Sequence, residues 1–250
     1  MLLCLLALTC PAVPGAAEPT APGAPARTAS RALAEIAFGF KAGASLAQHS
    51  GTEERDTDYR VSSHWRAGFA ASGFLCFQVT PRFGLQQEVG YAQKGSRQDI
   101  GVDILDIPTV LDVTYDMDYV EISTLLRFAW LCGERIEIYS LAGSAFSLKV
   151  RDHYVLRGEV SDGEEVVPIR ADSDMSEVDL FDYSFVYGTG LGLPFLGRWL
   201  LVEYRFALSW NTLAMPTYAY VPFVDEWVLI ENKPVPLKNQ NHLILVGIRF

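Results

Sequence analysis

The strongest constraint on the fold is the alternating pattern in residues 242–250, HLILVGIRF. A strand places successive side chains on opposite faces, and here one face is entirely apolar. That face carries Ile244, Val246, Ile248 and Phe250. A soluble domain would expose this row, with its terminal aromatic residue, to water, whereas lipid is a suitable solvent for it. The pattern therefore predicts the closing strand of a membrane-spanning β-barrel, in which every backbone group is paired and the outer surface is apolar.

The same period of two recurs in seven earlier segments: residues 36–47, 64–79, 83–95, 114–131, 136–151, 181–193 and 200–210. Only the middle of the fifth segment, residues 140–145, is ambiguous. Short turns at 80–82, 132–134 and 196–198 alternate with long loops at 49–61, 99–112, 157–176 and 212–238. This alternation is typical of barrels that carry turns at one membrane face and loops at the other. The expected fold is all-β, an eight-stranded antiparallel up-and-down transmembrane β-barrel.

Composition narrows the function classes. Half of the chain is hydrophobic and 12% is aromatic, yet it contains no run of about 18 apolar residues, so helical membrane spans are not expected. The formal net charge of -10 and the lack of a basic patch argue against a nucleic-acid partner.

The N-terminal region differs from the rest of the chain. Residues 1–17 form an apolar run followed by small residues and Pro, which predicts a signal peptide, although no Lys or Arg precedes the run. An alternative is a lipoprotein acceptor at Cys10, where Thr9 departs from the usual small residue. Residues 18–34 are rich in Pro and Ala and predict a flexible leader, which leaves residues 35–250 for the barrel.

Charged residues recur on the strand faces opposite the aromatic residues. We expect them to form an ion-pair network inside the barrel, because charges in such a space need partners. The predicted network comprises Lys41, Arg66, Glu88, Glu121, Arg127, Glu137, Lys149, Asp182, Glu203 and Arg205. Its carboxylates could alternatively serve acid/base catalysis, but pairing accounts for them without any catalysis. The network predicts a packed interior and no wide pore.

Two other classes of protein remain as alternatives. A soluble lipocalin-like barrel would turn the apolar face inward, but aromatic and branched side chains from eight strands would overfill its interior. A lipid-modifying barrel enzyme would need polar catalytic groups on its outer wall. Ser144 and His242 are the only such pair, and they fall on the fifth and eighth strands, which are not neighbours in an up-and-down barrel. We therefore predict no catalytic residues.

No cofactor or metal ion is expected. The four histidines lack metal-ligand spacing, and the two cysteines beyond residue 34, Cys76 and Cys132, make neither a metal cluster nor a disulfide framework. Both cysteines fall near short turns, so a bond between them is conceivable, but free thiols are favoured. The glycine-rich residues 188–192 lack the context of a nucleotide-binding loop and favour close backbone packing.

One loop stands out as a recognition candidate. Residues 212–238 are interrupted by Pro and rich in aromatic side chains, of which Tyr218, Tyr220, Phe223 and Trp227 are the candidates. They could bind an extracellular ligand or a small hydrophobic solute, or they could cover the barrel mouth.

Several motifs together resemble a known group of proteins. They are Lys41-Ala42-Gly43, residues 88–95 (EVGYAQKG), residues 119–122 (YVEI), residues 187–192 (YGTGLG), residues 202–205 (VEYR) and the terminal Gly247-Ile248-Arg249-Phe250. Over residues 35–250 the chain resembles small outer-membrane β-barrel families, particularly the PorT-like outer membrane protein β-barrel domain group, with OmpW and OmpX as related architectures.

The resemblance implies a non-enzymatic protein of the bacterial outer membrane, with extracellular loops and periplasmic termini. It implies contact with outer-membrane lipid, and surface interactions or limited uptake of small solutes. In such families the C-terminal aromatic residue is the insertion signal read by the barrel-assembly machinery, a role that falls here on Phe250. Gly247 lies closer to the end than the usual glycine of the group.

Overall fold

A computed structural model describes residues 35–51, 60–104, 107–161, 166–174, 180–212, 218–223, 226–231 and 237–250. All of them lie in one compact unit, Ala34–Phe250. The strands are β1 (Glu35–Gly51), β2 (Arg60–His64), β3 (Arg66–Gln78), β4 (Phe83–Ile104), β5 (Ile107–Cys132), β6 (Glu137–Ser161), β7 (Val166–Ser173), β8 (Phe181–Phe195), β9 (Arg198–Ser209), β10 (Tyr218–Phe223), β11 (Glu226–Glu231) and β12 (Leu237–Arg249).

Eight of these strands form a closed antiparallel ring. The order is β1, β12, β9, β8, β6, β5, β4, β3 and back to β1. The first and last strands close the ring in a ladder that runs from Gly39 opposite Arg249 to Gly51 opposite Leu237. This confirms the all-β, eight-stranded up-and-down barrel. Closure leaves no free edge in the ring, as a strand in lipid requires.

Tight turns join neighbouring strands at one end of the barrel, which we call the turn end. Leu196 and Gly197 form a two-residue connection between β8 and β9, with φ angles of 49° and 74°. Positive φ at both central residues is the geometry of a type I′ hairpin turn. The other connections at this end, residues 79–82 and 133–136, are also short, as predicted.

Within the membrane-spanning part the apolar side chains face outward. Along β8 exposed and buried residues alternate, with Phe181, Tyr183, Phe185 and Tyr187 outside and Asp182 and Ser184 inside. The outer face therefore forms an apolar band, while charged side chains are buried in the ring. A lipocalin-like barrel would have the opposite arrangement, so that alternative is wrong.

The end opposite the turns, which we call the loop end, differs from the expected pattern of long loops. Residues 99–112, predicted as a loop, belong to a long hairpin in which β4 reaches Ile104 and β5 starts at Ile107. The predicted loop 157–176 contains the end of β6 and all of β7, and 212–238 contains the β10–β11 hairpin and the start of β12. The ambiguous residues 140–145 lie in the middle of β6.

These strands form a sheet beyond the apolar band. We define this sheet extension as β2, β7 and the loop-end parts of β4 (residues 93–104), β5 (107–118) and β6 (151–161). Its faces differ in polarity from those of the band. The inward face buries apolar side chains, namely Ile100, Leu111, Val113, Leu156 and Ile169, beside polar ones such as Ser96 and Gln98. The outward face is mostly polar and charged, with Val110 and Val166 as exposed apolar residues.

The wall is irregular between β3 and β4. The β3–β4 ladder ends at Ala70 opposite Ala92, and pairing resumes only at His64 of β2 opposite Arg97. Gly95 has a φ of 127° at this irregularity, a conformation that L residues rarely adopt. None of the described residues forms a helix long and apolar enough to span a membrane.

Candidate functional site

The interior of the barrel holds three layers of buried charges. The middle cluster consists of Lys41, Glu88, Glu203 and Arg205, all at most 4% exposed. Arg205 donates two hydrogen bonds to Glu88, of 2.6 and 2.9 Å, and two to Glu203, of 2.6 and 3.0 Å. Lys41 bridges the same two carboxylates at 3.0 and 2.8 Å. Two cations thus neutralise two carboxylates at the centre of the barrel, in the arrangement that makes buried charge tolerable.

The upper cluster lies toward the loop end and is built around Lys94. Its ammonium nitrogen lies 2.6 Å from Glu121 and 3.2 Å from Asp182. Asp182 also accepts hydrogen bonds from Ser209 at 2.6 Å and from Asn239 at 3.2 Å. These five residues come from β4, β5, β8, β9 and β12, so the cluster links five of the eight strands of the ring.

The lower cluster lies at the turn end. Glu137 forms ion pairs with Arg127, at 2.6 Å, and with Arg249, at 2.8 Å. The Arg127 guanidinium also stacks 3.9 Å from the centre of the Tyr139 ring. The lower cluster therefore fills the part of the interior next to the turns, and it contacts the final strand through Arg249.

The structure brings most of the predicted network residues into these clusters, but not into a single network. Lys41, Glu88, Glu203 and Arg205 form the middle cluster, Glu121 and Asp182 belong to the upper one, and Arg127 and Glu137 to the lower one. Arg66 instead pairs with Asp116 at 2.6 Å, and Lys149 pairs with Asp152 at 2.6 Å. Both of these pairs lie toward the loop end.

Several interior residues are absent from the predicted network, among them Lys94, Arg249, Tyr119 and Tyr139. Lys94 supplies the cation of the upper cluster, and Arg249 supplies a second arginine to the lower one. Tyr119 and Tyr139 are fully buried, and Tyr139 donates a 2.7 Å hydrogen bond to Glu203. Strand parity was the available signal, because the two tyrosines lie two residues from Glu121 and Glu137. The expectation that aromatic side chains would overfill the interior obscured it.

Gly190 explains how a tyrosine fits inside so narrow a barrel. A Cβ atom at this position would lie 2.3 to 2.6 Å from atoms of the Tyr139 ring. The ring therefore packs on the bare backbone of β8. The glycine-rich segment does serve close packing, as expected, and its partner is a side chain.

A small cavity of about 30 Å³ separates the middle and upper clusters. Its lining combines Glu88 and Arg205 from one cluster, Glu121 from the other, and apolar residues including Ala70, Leu243 and Leu245. Asn241 also lines it, and its side-chain nitrogen has no hydrogen-bond partner in the described part of the chain. The space suits about two water molecules, since one needs roughly 10–15 Å³.

On the outer wall, as far as the structure describes it, the two candidate groups of a lipid-modifying enzyme do not come together. Ser144 lies on β6 between Thr124 and Phe185, three ladders away from β12, which carries His242. The His242 ring instead shares a 2.6 Å hydrogen bond with the Tyr204 hydroxyl and packs edge-on against Trp65. The structure therefore keeps Ser144 and His242 apart.

Among the described residues, no group of three or more His, Cys, Asp or Glu side chains could hold a metal ion. The two cysteines are free thiols, with Cys76 buried and Cys132 exposed.

The candidate recognition aromatics lie on the β10–β11 hairpin, in which Tyr218 is opposite Glu231 and Pro222 is opposite Trp227. The backbone of β10 approaches β7 of the sheet extension. The side chains of Tyr218, Tyr220, Phe223 and Trp227 lie outside the described part of the structure.

The outer face of the sheet extension carries ion pairs that link neighbouring strands. His64 of β2 lies 3.1 Å from Asp99 of β4, and His153 of β6 lies 3.0 Å from Asp172 of β7. Arg97 of β4 forms an ion pair with Asp112 of β5. Contacts between polar side chains thus link β2 to β4, β4 to β5 and β6 to β7 on this surface, much of which the sequence predicted as loops.

A family model described as "Outer membrane protein beta-barrel domain" matches residues 24–214. Solved structures with a similar fold include the outer membrane protein OprG from Pseudomonas aeruginosa, at 10% identity and a TM-score of 0.46, covering 87% of this chain and 97% of OprG. They also include the attachment invasion locus protein Ail of Yersinia pestis, at 14% identity and a TM-score of 0.37, covering 86% and 99% of the two chains. Neisserial surface protein A matches at 13% identity and a TM-score of 0.36, covering 85% and 95%. A search of curated protein sequences gave no match.

Proposed function

Because this chain belongs to the outer membrane protein β-barrel domain family, we propose that it is a non-enzymatic surface protein of the outer membrane. The barrel serves as a closed anchor, and the sheet extension with its neighbouring hairpin interacts with molecules outside the cell. In this proposal the loop end is extracellular and both termini are periplasmic. Residues 1–17 direct secretion, residues 18–34 form a leader, and the barrel-assembly machinery reads Phe250.

The observation that carries the proposal is the contrast between the interior and the loop end. Inside, the clusters bridge the ring, so a solute has no open path through the centre. At the loop end, β4, β5 and β6 continue far beyond the apolar band, with 22, 26 and 25 residues respectively. A span needs only about 9–11 residues per strand. The residues beyond this length are not needed to span the membrane, and their presence outside the apolar band supports a role in surface recognition.

Placement of aromatic residues supports the membrane-embedded part of the proposal. Phe250 stacks on Phe38 with ring centres 5.2 Å apart, and its backbone nitrogen donates a 2.8 Å hydrogen bond to the Phe38 carbonyl. The closing residue is thus fixed on the lipid-facing side of β1. An exposed aromatic edge at this position is accessible to an assembly factor before closure.

The test removes the hairpin and measures surface binding. Proteoliposomes with the full chain and with residues 218–227 deleted are applied to surfaces coated with extracellular-matrix protein or polysaccharide, and to bare surfaces. We expect retention of the full chain on a coated surface and loss of retention on deletion. Heat-dependent electrophoretic mobility shows whether both barrels are folded. Equal retention of two folded barrels would contradict the role of the hairpin.

A second candidate is limited uptake of small hydrophobic solutes through the wall. The support is the interrupted β3–β4 ladder, which lies beside the cavity that Ala70, Leu243 and Leu245 line. In place of a ladder bond, the Phe69 nitrogen donates to the Gln93 side chain at 3.2 Å, and Arg66 donates to the Lys94 carbonyl at 3.0 Å. Such side-chain contacts open more readily than a ladder.

Uptake is tested with cells that produce the protein and cells that carry an empty vector. Entry of a fluorescent hydrophobic probe is faster in the producing cells if the wall admits solutes. Equal entry rates at matched protein insertion would contradict this candidate and leave the surface role intact.

A further inference from the structure

Two arginines face each other on the outer surface of the sheet extension. Arg157 of β6 is directly opposite Arg170 of β7 in the antiparallel ladder. Both side chains are exposed, while their sequence neighbours Leu156 and Ile169 are buried on the inward face. Like charges directly opposite each other on adjacent strands repel, so an anion between the two guanidinium groups would relieve an unfavourable contact.

The other charges of this surface are paired differently. Arg97 forms an ion pair with Asp112 across a ladder, and the rings of His64 and His153 each lie within hydrogen-bond distance of an aspartate on the neighbouring strand. Arg157 and Arg170 form no ion pair with any residue in the ranges that the structure covers.

Among the described residues, the acidic groups around the two arginines are few or already engaged. Asp112 is opposite Arg157 on β5, but it is bound by Arg97. Asp172, two residues from Arg170, is bound by His153. Glu159 shares the outward face two residues from Arg157, and within the described residues it forms no ion pair with either arginine. The two guanidinium groups are thus available to an external anion.

The height of the pair above the membrane constrains the ligand. Val120 is the last exposed apolar residue of β5 before the polar outward stretch that contains Asp112, and Asp112, opposite Arg157, lies eight residues further along the strand. Val110, beyond Asp112, is an isolated exposed apolar residue and does not extend the band. At about 3.3 Å per residue this is roughly 26 Å along the strand. With a strand tilt of about 45° the pair is roughly 18 Å beyond the band. Headgroups extend only about 5–8 Å beyond the hydrocarbon core, so lipid phosphates do not reach it.

We propose that Arg157 and Arg170 form a binding site for the sulfate or phosphate esters of an extracellular anionic polysaccharide. Each guanidinium presents planar donors that match an oxyanion, and two of them on adjacent strands can hold one ester group together. The inference rests on the proposed function, because it requires the loop end to face outward. It adds the chemical class of the partner.

Binding is measured by titrating the folded protein in neutral detergent micelles with dextran sulfate, dextran phosphate and uncharged dextran. Work at about 0.15 M salt limits repulsion from the net negative charge to a Debye length of about 8 Å. We expect binding of at least one of the two anionic dextrans and none of uncharged dextran. The stronger of the two anionic probes identifies the ester.

The variant R157Q/R170Q is expected to weaken that binding at least tenfold. The matched control is R82Q/R135Q, which removes two exposed arginines at the turn end and changes the net charge equally. We expect this control to bind within twofold of the unaltered chain. R157K/R170K retains the charge but loses the planar guanidinium groups, so its affinity should lie between those of R157Q/R170Q and the unaltered chain. E159Q removes a nearby carboxylate and should bind more tightly than the unaltered chain.

An equal loss of affinity for the anionic dextran in R157Q/R170Q and R82Q/R135Q would overturn the proposal, since it would indicate non-specific attraction to positive charge. Failure of the unaltered chain to bind either anionic dextran would also overturn it. That second result would leave the hairpin-dependent retention experiment unaffected, so the two proposals fail separately. Heat-dependent mobility verifies that every variant is folded.

Discussion

Arg205 and Glu88 form a two-bond ion pair, with distances of 2.6 and 2.9 Å, between strands on opposite sides of the ring. Arg205 lies on β9 and Glu88 on β4, four ladders apart in either direction around the eight-stranded barrel. A direct contact across the full diameter leaves no room for a continuous passage at this level. It also connects strands that are distant in sequence, so it belongs to the completed barrel.

Removal of Arg205 should strongly destabilise the barrel. R205A leaves Glu88 and Glu203 buried with only Lys41 to neutralise them. Breaking a buried ion pair from one side costs about 3–5 kcal/mol. We expect a loss of this size in the free energy of unfolding, measured by urea titration in lipid vesicles.

The matched control for R205A is R151Q. Arg151 is 67% exposed and lies 4.0 Å from Asp118, so its removal should cost less than about 1 kcal/mol. Equal effects of the two variants would show that the middle cluster is no more important to stability than a surface pair.

Gly190 should not tolerate a side chain. G190A places a methyl group within the Tyr139 ring, and we expect a loss of at least about 2 kcal/mol in the free energy of unfolding. In the double variant G190A/Y139A the clash is absent, so its effect should be smaller than the sum of the single effects. G73A is the control, because its Cβ would lie at an ordinary 3.5 Å from Phe40. Strict additivity would refute the proposed fit of Tyr139 against Gly190.

The turn at Leu196 offers a stabilising substitution. Leu196 has a φ of 49° and is 87% exposed, so it carries backbone strain and makes few contacts. L196N introduces the Asn-Gly pair that type I′ turns favour. We expect a gain of about 0.5–1 kcal/mol in the free energy of unfolding by urea titration. A loss of stability would mean that the leucine side chain has a role that its exposure does not reveal.

The barrel was predictable because one physical pattern repeats along the chain. Alternation in residues 242–250 and in seven further segments fixed the strand faces, and the turn at 196–198 fixed one hairpin. Parity also placed charged residues such as Glu203 and Arg205 inside. Division of those charges into three clusters was not predictable, because it depends on the stagger of neighbouring strands around the closed ring.

The sheet extension was missed for a related reason. Within the band, apolar side chains face outward, but beyond it Leu111 and Val113 face inward while Asp112 faces water. Strand geometry continues through this change without interruption. Acidic residues at 99–112 therefore looked like a loop, although their alternation with apolar residues persists. A search for alternation that ignored which face is apolar would have found these strands.

Conductance in a planar lipid bilayer shows whether the barrel is a closed anchor. The refolded chain is inserted at a protein concentration that gives clear steps with a known porin, and heat-dependent mobility of the same sample verifies folding. Because the charge clusters bridge the interior, we predict no resolved conductance steps. Regular steps from the folded chain would contradict the account and show that ions pass through the clusters.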